Sequence, residues 1–422
     1  MYFGSQMADS KRVPKIIVLG AGVIGLSTAF YCQLRGVETI VYAAATPAGN
    51  TLGPIQPSIA SFFPAASIIP HSVSSPHVDR MTEYSHTFYE FLANHNWGGV
   101  RKQKHFEAFE FQPNALPGYA NTMSGFKELP KSGKGTPDAP RREGVTGIYG
   151  WYFNTCFAEM RTYLAWLSEH YLASGGKIIV KDLTAQQFLD IPCDVRVNCA
   201  GLHSDMFGDD PEKPRVIRGH LVAIDVPNIP SSPVSWNYHP LKEIYQNAQG
   251  EPADIYNYPR SIKGGGWVVG GSRQYGQEIA GKWEGEETVG RTVKIQGIDA
   301  NQFVDVPAPV WELNRELILK QAGIDIENYS RRAFIGYRPV RTGPSSLRLE
   351  KSPIHENLIH NYGHGGSGVT LAMGCAVEVA SIAGLSFQKE SECFQNPKYA
   401  DVLNCLQQVV MSYPSLISDL ES

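Results

Sequence analysis

Six residues near the start of the chain, Gly20-Ala21-Gly22-Val23-Ile24-Gly25, constrain its fold more than any others. They follow an apolar run from Lys15 to Leu19 that reads as a buried parallel strand. They precede Leu26 to Arg35, apolar at helical spacing and ended by Gly36. Thr39 to Tyr42 reads as a second strand and completes a βαβ unit. In that setting Gly20 permits the tight turn and Gly22 lets backbone N–H groups approach a pyrophosphate. Gly25 lets the helix pack closely on the strand, and the helix N-terminus supplies favourable partial charge. All six positions are therefore expected to bind a dinucleotide. The acidic residue that usually follows about 20 positions on, to hold a ribose hydroxyl, is replaced here by Ala43-Ala44-Ala45. That clamp is missing or comes from elsewhere. Ile16 to Leu34 is also long and apolar enough to pass for a membrane span, but its three glycines fit the turn better.

Length and composition narrow the class. A chain of 422 residues has room for two or three domains. Lys plus Arg total 37 against 41 Asp plus Glu, so no basic excess exists to neutralise phosphates and a nucleic-acid binder is not expected. There are seven cysteines and no C-x-x-C, which argues against a disulfide framework or a structural metal and for a reducing, intracellular compartment. A Cys393–Cys405 pair stays open. Met1 to Gln6, ahead of a second methionine at Met7, are set aside from the fold.

Further along, Thr46 to Pro76 reads as loops approaching a cofactor, Val78 to Asn96 as a helix, and Gly98 to Arg142 as loop-rich. Phe157 to Ser174 and Val310 to Ala322 read as helices, Lys177 to Val180 and Asp194 to Asn198 as strands. Arg215 to Val226 alternates as antiparallel strands do, and Tyr256 to Gly271 reads as a hairpin. Phe334 to Val340 and Leu358 to Tyr362 read as strands, the latter running into Gly363 to Gly368 and a helix from Val369 to Ala383. Parallel units at both ends thus enclose an antiparallel middle. This predicts an α/β fold with a second domain inserted into the first.

Four stretches follow the glycine motif in order: Val197-Asn198-Cys199-Ala200-Gly201, Arg218-Gly219-His220, Gly336-Tyr337-Arg338-Pro339-Val340-Arg341, and His360-Asn361-Tyr362-Gly363-His364-Gly365-Gly366-Ser367-Gly368. With them the chain resembles the D-amino-acid oxidase and D-aspartate oxidase family of FAD enzymes, from about Lys15 to Gly384. The resemblance implies a discontinuous Rossmann-like FAD-binding domain (13–92, 156–214 and 337–400) and an inserted antiparallel-sheet substrate domain (93–155 and 215–336). Segments 1–12 and 401–422 are then terminal. FAD is the implied cofactor, contacted also by Gly201, Gly365, Gly366, Gly368, Val369 and Thr370. An NAD-dependent dehydrogenase would share the glycine motif but not the Asn361 to Gly366 stretch.

The same resemblance assigns the substrate site. Arg338 matches the position that binds the α-carboxylate, a task suited to a planar, permanently charged fork. Arg341 should face the other way, into a salt bridge. Tyr256, or Tyr258 under a different alignment, would place a hydroxyl on the same carboxylate. Arg273, after Gly270-Gly271-Ser272, resembles the arginine that binds a side-chain carboxylate in D-aspartate oxidases. Unpaired, it would discriminate strongly against neutral ligands. His71 resembles a further ligand of that carboxylate, Gly366 the carbonyl that accepts the substrate amine, and Ser367 a group within reach of the distal end. The family's second, lid arginine has no match between Ile244 and Asp254. The implied reaction is oxidative deamination of D-aspartate, with a broad oxidase of neutral D-amino acids as the alternative. The expected partners are that small molecule and O2, with no nucleic acid and no membrane, and a homo-oligomer stays open. Members of the family are commonly peroxisomal. The resemblance thus implies the peroxisomal matrix; Leu420-Glu421-Ser422 is not such an address, and a cytoplasmic place is expected if that absence is genuine.

Overall fold

The computed structural model describes residues 14–47, 59–63, 66–69, 73, 75–212, 214–227, 234–260, 265–279, 282–299, 301–342, 345–385 and 398–413. Two sheets organise them. The first is six-stranded, in the order Arg348–Lys351, Leu358–Tyr362, Val195–Asn198, Lys15–Leu19, Glu38–Ala43 and Lys177–Val180. All neighbours are parallel except the antiparallel edge strand Arg348–Lys351. Strand Lys15–Leu19 is apolar from Ile16 to Leu19 because both faces of this sheet are covered. Ile16 and Val18 pack into a core with the helices Val23–Leu34, Met160–Ala173 and Gly368–Ile382. Ile17 and Leu19 pack into another with Ile40, Phe188, Phe207 and Leu358. The apolar stretch Ile16 to Leu34 is thus strand, turn and helix. Gly365–Ile382 is also long and apolar enough to cross a membrane, and it is two-thirds buried within the protein.

The second sheet is larger and mostly antiparallel. Its central strand, Pro214–Ile224, pairs with Gly266–Gly270, Gln274–Ile279 and Arg331–Arg341. Strand Ile255–Arg260 pairs with Gly266–Gly270 and Val234–His239. Val234–His239 runs parallel to Val100–Phe109, which pairs in turn with Tyr149–Ala158. One face packs on the helix Ala308–Ala322 through Val222, Ile224, Ile255 and Val269. The α/β class is as expected. Within the stretch Gly98 to Arg142, expected to be mixed and loop-rich, Val100–Phe109 is a ten-residue strand. The expected boundaries at 155/156 and 336/337 each cut a continuous strand, Tyr149–Ala158 and Arg331–Arg341, both paired within the second sheet.

A buried ionic cluster joins the two sheets. Arg341 ends the strand Arg331–Arg341 and donates from Nε and Nη2 to Asp210 at 2.9 and 2.8 Å. Tyr362, last residue of a first-sheet strand, donates to the same carboxylate at 2.6 Å. Beside it, Arg348 Nη1 and His360 Nε2 both lie 2.8 Å from Asp209. Burial opposes the charge on Asp209, but hydrogen bonds from Ser352, Arg348 and His360 prevail and hold its carboxyl down at about 2. Arg341 is therefore structural, as its place on the strand implies. Asp210→Ala would leave that guanidinium, 9% exposed, without its counter-charge. The expected cost is about 3 kcal/mol, read as a lower urea midpoint; an unchanged midpoint would contradict the role given to this junction.

Candidate active site

One cavity of about 460 Å³ lies between the two sheets. Its first-sheet side is lined by Val23 of the glycine-loop helix and by Gly365, Gly366, Gly368 and Val369. Its second-sheet side carries Arg338, Tyr256, Tyr258, Asn237, Ser272 and Arg273. Phe334, Gly336 and Arg338 alternate along their strand onto this face. Arg338 Nη2 donates to Tyr256 Oη at 3.2 Å, so the tyrosine O–H remains available to donate to a ligand. This distinguishes the two tyrosines. Tyr258 stacks on Tyr256, with centroids 5.0 Å apart, and its hydroxyl donates to Asn237 Oδ1 at 3.2 Å.

Two glycines on neighbouring strands create the room. A Cβ on Gly219 would stand 2.4 Å from Arg338 Nη1, and one on Gly270 would stand 2.3 Å from Tyr256 Oη. Behind them His220 Nδ1 lies 2.8 Å from Ser272 Oγ. Burial first, then the charges of Arg218 and Arg338, push this imidazole down to about 4.

Arg273 lines the cavity but is not alone. Its Nη1 and Nη2 both donate to Asp254, the second at 3.0 Å, in a bidentate pair. The arginine side chain is 38% exposed and the aspartate 8%. The nearby negative charge raises the arginine pKa well above its ordinary value. The expectation of an unpaired cation is corrected: Asp254 balances it. Ser367 also departs from expectation, being fully buried and off the cavity wall. Thr370 uses its hydroxyl on the backbone of Ile69, accepting at 3.1 Å and donating at 3.2 Å. His71 lies outside the described residues, as does Cys393.

A polar network behind the tyrosines was not foreseen. Glu107 accepts from Asn237 Nδ2 at 2.9 Å and lies 3.3 Å from His105 Nε2 and 3.1 Å from His239 Nε2. Glu107, Asn237 and Tyr258 thus form a continuous hydrogen-bonded wall. Ser61 was missed too: its Oγ accepts from the Val23 N–H at 3.0 Å, capping the glycine-loop helix from outside.

The residues present fit a dinucleotide. Gly20 has φ +109°, and a Cβ there would stand 2.3 Å from the Cys199 carbonyl oxygen. A Cβ on Gly25 would stand 1.9 Å from the carbonyl oxygen of Gly20. Gly22 caps the helix with extended backbone, and its first turn carries no acidic side chain that would repel an anion. Gly201 opens the turn after Val195–Asn198 at φ +62°, and a Cβ there would meet no other described residue within 4 Å. His364, beside the cavity, keeps a buried Nε2 without a partner among the described residues, and burial pushes it down to about 3.

Among known proteins, the family model described as FAD dependent oxidoreductase matches residues 15–382. The chain is 28% identical over 385 residues to a D-amino-acid oxidase of Rubrobacter xylanophilus, covering 88% of this chain and 96% of that one. It is 27% identical over 413 residues to a D-aspartate oxidase of Talaromyces thermophilus, covering 90% and 98%. Of solved structures, glycine oxidase from Geobacillus kaustophilus has a TM-score of 0.59 at 14% identity, over 89% of this chain and 97% of that one.

Gly219→Ala is expected to keep the backbone, because the atom it meets is the free end of Arg338. Displacing that guanidinium should weaken binding of a small carboxylate by about tenfold or more, measured by titration of the folded protein. Acid should destabilise the fold. Below pH 6.5 an unfolded His220 takes up a proton that the folded imidazole refuses down to about pH 4. Stability should therefore fall as pH drops from about 6.5 towards 4, by on the order of 3 kcal/mol from this group. Thermal melts across that range check it, and His220→Asn should flatten the acid limb.

Proposed function

As a member of the FAD dependent oxidoreductase family, to which residues 15–382 assign it, this chain is, we propose, an FAD-dependent oxidase of D-amino acids, with D-aspartate its substrate. The observation that carries this reading is the Arg338–Tyr256 pair facing Gly365, Gly366 and Val23 across one cavity. Bound FAD supplies the two-electron acceptor and returns the electrons to O2 as hydrogen peroxide. The chain's own residues supply position. Arg338 and the Tyr256 hydroxyl hold the α-carboxylate, and the Gly366 carbonyl accepts from the substrate amine. With carboxylate and amine both fixed, only one enantiomer can turn its α-hydrogen to the first-sheet side. The N-terminus of helix Gly368–Ile382 supplies positive partial charge on that side. Gly20 to Gly25 and Gly201 would hold the dinucleotide.

For the side chain, Arg273 is the available cation. A guanidinium has five donors, and Asp254 engages only the Nη1 and Nη2 end. The Nε edge carries no hydrogen bond among the described residues and can take a second carboxylate. A second reading, oxidation of neutral D-amino acids, is favoured by the same pair. Arg338 and Arg273 against Asp254 leave one net positive charge, which a single α-carboxylate balances.

Anaerobic mixing tests both. D-Aspartate should bleach the visible flavin band of the loaded protein and L-aspartate should not. Faster bleaching by D-alanine than by D-aspartate would replace the first reading with the second, and no bleaching by any D-amino acid would remove both. Arg273→Leu should lose D-aspartate oxidation by about a hundredfold while retaining flavin.

A further inference from the structure

The segment between the strands Val234–His239 and Ile255–Arg260 ends in an acid, Asp254, where the family resemblance implies a second cation nearby. Asp254 stands two residues before Tyr256, and Arg273 three residues after Gly270, which pairs with Tyr256 in the hairpin register. The hairpin that presents Tyr256 therefore also presents the ion pair beyond it. Gly271 makes the approach feasible: its φ is +142°, and a Cβ there would lie 2.5 Å from the Asp254 carbonyl oxygen. The two glycines before Arg273 thus have separate tasks, one under the Tyr256 ring and one against the Asp254 backbone. Arg273 also lines a smaller cavity of about 80 Å³ walled by Tyr245 to Ala248, Pro252 and Ala253. Arg273 thus lines both spaces, with its guanidinium held by Asp254.

We propose that Asp254 is a specificity-determining residue: by holding Arg273 from the buried side, it weakens the hold on a substrate's second carboxylate and so sets the preference between acidic and neutral D-amino acids. This rests on the reading of Arg273 as the side-chain cation. A carboxylate arriving at the Nε edge shares one guanidinium with Asp254 and is repelled by it. A neutral side chain meets no such repulsion. Asp254 therefore acts on the distal end of the ligand alone, while Arg338 and Tyr256 treat every substrate's α-carboxylate alike.

The test is Asp254→Asn in the flavin-loaded enzyme, with oxygen uptake measured on D-aspartate, D-asparagine and D-alanine. The ratio of kcat/KM for D-aspartate to that for D-alanine should rise about tenfold or more. The change should lie in KM, with D-asparagine and D-alanine within about twofold of the parent. An unchanged or lowered ratio overturns the proposal. Asp254→Ser, smaller and also uncharged, guards against a fault peculiar to asparagine, and flavin absorbance reports that each variant is folded. Arg273→Leu in the same panel separates the two claims. If it loses D-aspartate selectively while both Asp254 variants leave the ratio unmoved, the role of Asp254 is wrong and that of Arg273 stands. If Arg273→Leu leaves D-aspartate oxidation intact, both are wrong.

Discussion

The buried contact of Arg341 and Tyr362 with one carboxylate, Asp210, fixes the relation between the two sheets. Arg341 lies three residues beyond Arg338 on one strand. Tyr362 lies three residues before Gly365. One carboxylate thus ties the strand that presents a cation to the strand that leads into the glycine turn, and the cavity is what remains between them. Buried ion pairs of this kind contribute little net stability when intact and cost much when halved. Their value here is geometric: the two walls of the site are built by residues more than 20 positions apart in sequence and on different sheets, and nothing local would hold them in register.

Within the cavity, shape and charge are divided between residue types. Glycines set the shape. Gly219 and Gly270 are flat places on the sheet where a guanidinium and a phenol ring lie down. Charge is set by two arginines of different standing, one bonded to a neutral phenol and the other to a carboxylate. In the proposed reading the first would offer its full charge to an incoming anion. The second offers a charge already shared.

Much of this was legible in the sequence because backbone demands leave strong marks. The strand–turn–helix around Gly20 to Gly25, the strand Leu358–Tyr362 and the helix after Gly368 follow from apolar runs and glycines whose roles are steric. The opposite facing of Arg338 and Arg341 follows from the two-residue period of a strand. The illegible parts are those where polar residues are buried. In Val100–Phe109 both faces are buried, Phe106 and Ala108 on one and the polar Gln103, His105 and Glu107 on the other, so no apolar alternation marks the strand. The pairing of Asp254 with Arg273 spans 19 residues and depends on a glycine turn whose angle no local pattern announces. The capping of Val23 by Ser61 likewise joins a helix end to a distant turn.

The account stands on the claim that Arg338 and Tyr256 receive a carboxylate beside the bound flavin. A crystal structure of the flavin-loaded protein soaked with malonate, which cannot be oxidised, tests this directly. The account predicts one carboxylate on the Arg338 fork within hydrogen-bond reach of Tyr256 Oη, and the other turned towards the Nε edge of Arg273. Malonate bound elsewhere, with Arg338 remaining on Tyr256 alone, would contradict it.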